Sequence, residues 1–180
     1  MSFGIAILRA VVGGLFIGHG LQKLLGKFGG HGLDGTAGFF ESLGLKPGKV
    51  HATAAGTAEA GGGALLLAGA ATPLGAAAVT GVMTVAIKTV HAPKGPWVSE
   101  GGYEYNAVLM ASVFAITAAG PGALSIDRRQ WGTAWALAQL AAGVGGGLAM
   151  VKFAQNQPEP ASSQRFTREA EPAVSESTAH

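Results

Sequence analysis

Polar and ionisable side chains occur inside, or at the ends of, every apolar stretch of this chain that is long enough to span a membrane. Hydrocarbon excludes such groups unless they pair or line a polar cavity, so each is a candidate for a functional site. In the first stretch His19, Gln22 and Lys23 have the spacing i, i+3, i+4 and therefore share one helical face. Such a face could bind an anion or a carbonyl oxygen by charge-assisted hydrogen bonds.

Arg9 and Glu59 lie deep inside two of these stretches, where a charge costs about 3 kcal/mol even on lenient insertion scales. A rise of 1.5 Å per residue places Arg9 about 9 Å and Glu59 about 12 Å from opposite membrane faces. A long arginine side chain could close most of the remaining gap. We therefore expect an Arg9–Glu59 pair, which would serve the function or only fix the helix register.

The other candidates converge on one side of the membrane. Successive spans alternate in direction, so we call the face that bears the N-terminus side A and the opposite face side B. Both the end of the third stretch and the start of the fourth reach side B. The prediction is one polar cluster that opens to side B and is closed at its floor by the Arg9–Glu59 pair. The candidate proton acceptors are Glu59 and Glu104, and the candidate ligand-binding residues are Arg9, His19, Gln22, Lys23, Lys88, His91 and Tyr103. A lysine at a helix end is more often a plain interfacial anchor.

These side chains require apolar helices to position them. Hydrophobic residues make up 48% of the chain and charged residues 12%, about half of what a soluble domain carries. The apolar stretches cover residues 3–25, 51–71, 73–91, 103–119 and 131–153. The pattern predicts an all-α, polytopic membrane protein with a four-helix transmembrane bundle in residues 1–130 and an additional transmembrane helix at 131–153. Residues 154–180 are polar and rich in proline and glutamate, which predicts a disordered tail.

Several kinds of chemistry are excluded or disfavoured by the composition. There are no cysteines, so the chain cannot form disulfides or hold an iron–sulfur cluster through thiolates. The histidines are spread over separate elements without metal-ligand spacing, so no metal site is expected. The basic residues are scattered over loops and helix ends, and no nucleic-acid partner is expected.

At these residues the sequence resembles the DoxX family of small bacterial membrane proteins. The resemblance is carried by Arg9, by Glu59 with Gly62-Gly63, and by residues 18–24, 101–105 and 120–127. It covers roughly residues 3–130 and implies a four-helix membrane core in the bacterial plasma membrane. The fifth helix and the acidic tail depart from the family pattern.

The resemblance also implies a redox function, because the family name comes from a subunit of a thiosulfate:quinone oxidoreductase and other members are associated with oxidative stress and thiol homeostasis. The cluster could then bind a quinone or a small anionic substrate, while Glu59 or Glu104 takes a proton. No residue of the chain stores electrons, so a redox partner protein is expected beside the lipid bilayer. Enzymatic activity and homo-oligomerisation stay open. The alternatives are a membrane scaffold or assembly protein and a small transporter.

Overall fold

The computed structural model of the protein describes residues 2–157, which form helices and connecting turns without a strand. The main helices are α1 (Phe3–Leu25), α2 (Gly32–Ser42), α3 (Gly48–Ala68), α4 (Thr72–Ala86), α5 (Glu104–Ala119) and α6 (Gly132–Gln155). Beyond α4 the chain continues as a π-helical turn, Ile87–His91, and two short 3₁₀ turns follow at Ala92–Lys94 and Val98–Glu100. The predicted disordered tail falls almost wholly on residues 158–180, which lie outside the described residues. Only residues 154–157 of it are described, and of these Ala154 and Gln155 belong to α6.

Local signals explain where the helices begin and end. Ser2 caps α1 by accepting a hydrogen bond from the Ile5 N–H at 3.4 Å. At the other end Gly26 adopts φ 66°, a left-handed conformation that glycine reaches without steric cost. Gly69 does the same after α3, and Pro73 lies in the first turn of α4, so the two helices form the tight hairpin that the sequence predicts.

Four helices share one apolar core. The core side chains come from α1, α3, α4 and α5, and they include Val12, Phe16, Leu66, Val79, Met83, Leu109, Val113 and Ile116. Helix α6 packs against α4 and α5 without contributing to that cluster. It joins α4 through small residues and through a buried hydrogen bond of 3.2 Å from the Thr80 hydroxyl to the Gln139 side-chain oxygen. The predicted all-α fold, with a four-helix bundle and a further helix, is confirmed.

Among residues 2–157, three stretches are long and apolar enough to cross a membrane: Phe3–Leu25, Thr72–Lys94 and Gly132–Gln155. Helix α5 is apolar but only 16 residues long. Helix α3 has 21 residues but is interrupted by polar residues such as His51 and Glu59. Both helices pack in the same bundle as the three long stretches, so the five predicted crossings stay a prediction for α3 and α5.

Helices α1 and α3 approach each other backbone to backbone. A Cβ atom on Gly13 would lie 2.6 Å from the Gly63 carbonyl oxygen, and one on Gly20 would lie 2.6 Å from the Gly56 carbonyl oxygen. Such distances leave no room for a side chain, so these glycines fix how closely the helices pack and in which register. The register determines which side chains of the two helices meet.

Gly13→Ala is expected to destabilise the protein by about 1–3 kcal/mol, because the added methyl group must push α1 away from α3. Gly14→Ala is the matched control: it lies on the same helix, but nothing surrounds its Cβ position within 4 Å. Thermal unfolding of both variants in detergent measures the difference. Equal unfolding temperatures would show that the close approach does not stabilise the bundle.

Candidate functional site

A cavity opens in the bundle between α3 and α4, toward side B. Near their hairpin the two helices touch, since a Cβ atom on Gly62 would lie 3.1 Å from the Gly75 carbonyl oxygen. Toward side B they line a cavity of about 560 Å³, which α1, α5 and α6 also border. Phe39 and Phe40 of α2 line it as well. Its walls are mostly alanine, glycine, valine, methionine and phenylalanine, as in pockets for small apolar ligands.

A buried ion pair lies in the wall of this cavity. The Lys23 ammonium is 3.0 Å from Oε1 and 2.7 Å from Oε2 of Glu59. Glu59 is only 3% exposed, whereas the Lys23 side chain retains 24% exposure. The lysine therefore supplies the charge that allows a carboxylate at this depth.

The expected Arg9–Glu59 pair does not form, and the helix register explains why. Helices α1 and α3 are antiparallel, so Lys23 lies at the level of the residues around Gly56, one turn from Glu59. The Arg9 guanidinium instead packs against Gly69, ten residues beyond Glu59 in sequence. That separation corresponds to about 15 Å along the helix, too far for a direct pair.

Arg9 binds the loop that follows α5, at the side-A end of the bundle. Its guanidinium donates to the carbonyl oxygens of Pro121 at 2.7 Å, Leu124 at 2.8 Å and Ala123 at 3.3 Å. The planar donor fork of arginine suits such a set of acceptors. Arg9 is 3% exposed and does not line the cavity. Its place in the structure indicates a structural role.

Asp127 holds the same loop onto the α3–α4 hairpin. Its carboxylate accepts hydrogen bonds of 3.0 Å from the backbone N–H groups of Ala71 and Thr72, from the Thr72 hydroxyl and from the Trp131 indole. Burial acts to raise the pKa of Asp127, but the hydrogen bonds that it accepts outweigh burial and hold the pKa below its ordinary value. The loop after α5 is thus tied to α1 by Arg9 and to α4 by Asp127.

Three histidines line the cavity. His19 projects from α1, His51 from the first turn of α3, and His91 from the π-helical turn that follows α4. His51 is 3% exposed and its ring packs against Phe153 with the centroids 6.1 Å apart. A π-helical turn often occurs at functional sites because it shifts the side chains that follow it around the helix.

Four of the predicted site residues meet at the cavity, and five do not. Those that line it are His19, Lys23, Glu59 and His91. Those outside it are Arg9, Gln22, Lys88, Tyr103 and Glu104. Gln22 still contacts the site indirectly, because its side-chain oxygen lies 3.0 Å from Nδ1 of His19. Whether any of the nine binds a ligand stays a prediction.

Sequence reasoning missed four polar residues of the cavity, His51, Thr89, Tyr105 and Asn106. His51 precedes Glu59 by eight residues, a spacing close to two helical turns, so the two share a face of α3. This shared helical face was the sequence signal that could have identified His51 as a site residue. Asn106 is 7% exposed and donates its amide N–H to the Met83 sulfur at 3.3 Å. Nothing in its sequence context distinguished it from a residue that faces lipid.

A bundle of apolar helices around a largely apolar cavity with a buried ion pair defines a helical membrane protein with room for a small ligand. Residues 4–92 match the DoxX family model, so this part of the chain is a DoxX domain. The match runs from α1 to the π-helical turn and includes Lys23, Glu59 and His91. The predicted resemblance is thereby confirmed. The chain has no match among the curated proteins or the solved structures.

Proposed function

We propose that this protein is a membrane subunit of a quinone-linked redox system, of the kind that oxidises thiosulfate or thiols or counters oxidative stress, and that its side-B cavity binds the quinone head group. The observation that carries the proposal is the cavity itself: about 560 Å³, mostly apolar walls, and the Lys23–Glu59 pair in one of them. Its volume falls within the range of small-molecule sites. We place the protein in the bacterial plasma membrane as a multi-pass protein.

The charges of the site favour a quinone over a small anion. An anion site needs an excess of positive charge, but Lys23 is paired with Glu59. The two other cations that were candidates are elsewhere, since Arg9 binds the side-A loop and Lys88 is exposed outside the cavity. A quinone head group is neutral and flat, so it fits apolar walls and needs only a few polar contacts.

The ion pair suits a ligand that gains or loses protons together with electrons. The Lys23 ammonium has three hydrogens and could donate one to a quinone carbonyl while holding Glu59. Glu59 could accept or supply a proton at the same place. The electrons must come from a partner protein with its own redox centre, because the chain contains no cysteine and no residue that stores electrons. The partner is part of this proposal.

The alternatives keep less support. A scaffold was suggested by the glycine-rich helix faces, but Gly56 and Gly63 pack against α1, and Gly143 and Gly147 pack against α4, which leaves only part of those faces open, at Gly61 and Gly145. A transporter was suggested by the intramembrane Arg9–Glu59 pair, which does not form.

Filling the cavity tests the proposal directly. Ala58 lines the cavity beside Glu59, so Ala58→Phe is expected to weaken binding of a short-tailed quinone by more than about tenfold, because the new ring occupies the ligand volume. Ala64→Phe is the matched control, since Ala64 is exposed on the same helix. Binding is measured by calorimetry with the full chain in lipid nanodiscs.

A second readout is quinone reduction with thiosulfate, sulfite or a thiol as electron donor, after addition of extract from cells that lack the protein. Donor-dependent reduction that requires both the chain and the extract, and that Ala58→Phe removes, supports the proposal. Equal quinone affinity for the wild-type protein and Ala58→Phe would reject the cavity as the quinone site.

A further inference from the structure

The three cavity histidines share a hydrogen-bonding arrangement. In His91, Nδ1 lies 2.7 Å from the Gly101 carbonyl oxygen, and in His51, Nε2 lies 3.2 Å from the Lys46 carbonyl oxygen. A carbonyl oxygen can only accept, so each ring nitrogen must carry the proton and donate it. The second nitrogen of a neutral imidazole is then a bare acceptor. His51 and His91 therefore each present an acceptor nitrogen.

His19 follows the same pattern through a side-chain amide. The Gln22 amide nitrogen donates to the Phe28 carbonyl oxygen at 3.1 Å, which fixes the orientation of the amide. Its oxygen therefore faces Nδ1 of His19 at 3.0 Å and accepts the imidazole N–H. The remaining nitrogen of His19 is again an acceptor.

One of these acceptors lacks a partner. Nδ1 of His51 is buried and has no hydrogen-bond partner among residues 2–157. His51 as a whole is 3% exposed, and it lines the cavity. Buried polar atoms are seldom left unpaired, so this nitrogen, in a side chain that borders the cavity, is a candidate acceptor for a ligand's hydrogen-bond donor.

Two of the cavity's donor side chains are engaged within the protein. The Thr89 hydroxyl donates to the Val85 carbonyl oxygen at 2.8 Å, and the Asn106 amide donates to the Met83 sulfur at 3.3 Å. The Lys23 ammonium binds Glu59 and keeps one hydrogen, and the Tyr105 hydroxyl also borders the cavity. The three imidazole acceptors therefore outnumber these two remaining donors.

We infer that the cavity binds the reduced, hydroquinone form of its ligand more tightly than the oxidised quinone, with His51 and His91 accepting hydrogen bonds from ring hydroxyls. A hydroquinone offers two O–H donors where a quinone offers only carbonyl acceptors, so the reduced form alone complements acceptor nitrogens. Placing a quinoid ring in the cavity rests on the proposed function. The preference for one oxidation state goes beyond it.

The test compares three probes on the full chain in lipid nanodiscs under anaerobic conditions: a short-tailed benzoquinone, its hydroquinone, and the dimethyl ether of that hydroquinone. The ether keeps the ring but cannot donate a hydrogen bond. Calorimetry is expected to show the hydroquinone binding about tenfold tighter than either other probe, the equivalent of one or two well-formed hydrogen bonds.

The residue assignment is tested with His51→Phe and His91→Phe, each of which keeps an aromatic ring in place. Each is expected to reduce the preference for hydroquinone over quinone by about three- to tenfold, the value of one neutral hydrogen bond. His31→Phe is the control, because His31 is exposed and does not line the cavity.

The outcomes separate the inference from the proposed function. Quinone binding that is equal to or tighter than hydroquinone binding in the wild-type protein overturns the inference and leaves the quinone site intact. Failure of all three probes to bind rejects both. The comparison of probes uses the unmutated chain, so it remains decisive even if a histidine variant fails to fold.

Discussion

Lys23→Met is expected to abolish quinone binding and to lower the stability of the folded protein by about 3 kcal/mol. The reason is that Glu59, which is 3% exposed, loses the cation that lies 2.7 Å from it. An unpaired carboxylate at this depth must take up a proton or draw water into the cavity. Either change alters the wall that the proposed ligand contacts, by neutralising Glu59 or by hydrating it. Thermal unfolding in detergent and calorimetric binding measure the two effects separately.

An exposed ion pair elsewhere in the chain is the control. Lys49 lies 2.8 Å from Asp34, but the two side chains are 70% and 84% exposed. Lys49→Met is therefore expected to leave both the unfolding temperature and quinone binding nearly unchanged. Equal effects of Lys23→Met and Lys49→Met would contradict the assignment of Lys23–Glu59 to the site.

The double variant Lys23→Met/Glu59→Leu separates stability from function. Replacing both charges of a buried pair with apolar residues is often neutral for stability, so the double variant is expected to recover most of what Lys23→Met loses. It is not expected to recover quinone binding. Recovery of both would show that the pair only fixes helix register.

Arg9→Leu is expected to destabilise the protein by more than about 3 kcal/mol and to leave little folded material, because charge-assisted hydrogen bonds contribute about 1.5–3 kcal/mol each. The guanidinium donates to the carbonyl oxygens of Pro121, Ala123 and Leu124, and removing it leaves these acceptors unpaired. The loop after α5 would then separate from α1. The yield of monodisperse protein and its unfolding temperature measure the effect.

Two further variants define the role of Arg9. Arg9→Lys keeps the charge but not the planar donor fork, so it is expected to be of intermediate stability with unchanged affinity for quinone. Arg129→Leu is the control for loss of an arginine near the same side: Arg129 is exposed and stacks over Trp131 at 5.0 Å. Weakened quinone binding in a well-folded Arg9→Lys protein would contradict a purely structural role.

Much of the fold could be predicted because its signals are local. The first predicted stretch coincides with α1, and the other four differ from the observed helices by only a few residues at their ends. Proline at the start of α4 and glycine after α1, α3 and α5 mark boundaries through backbone geometry, which does not depend on distant contacts. The π-helical turn that carries His91 was not predicted, because no residue type specifies it.

The candidate site was predicted only in part. Lys23 and Glu59 were both identified as candidates, since any charge within an apolar stretch stands out. Their pairing was not predicted, because depth estimates treat each helix separately and ignore its contacts. His51 was not predicted as a site residue for the same reason. Its burial depends on a contact with Phe153 of α6, which a helix considered alone does not show.

The sequence by itself determined that this chain is a helical membrane protein with a DoxX domain, because apolar stretches, helix boundaries and family motifs depend on residues close together in sequence. Only the tertiary structure decided that Glu59 pairs with Lys23 and that Arg9 holds a loop. The physical reason is the close contact of α1 and α3 at Gly13–Gly63 and Gly20–Gly56. That contact fixes an antiparallel register, and the register decides which charges meet.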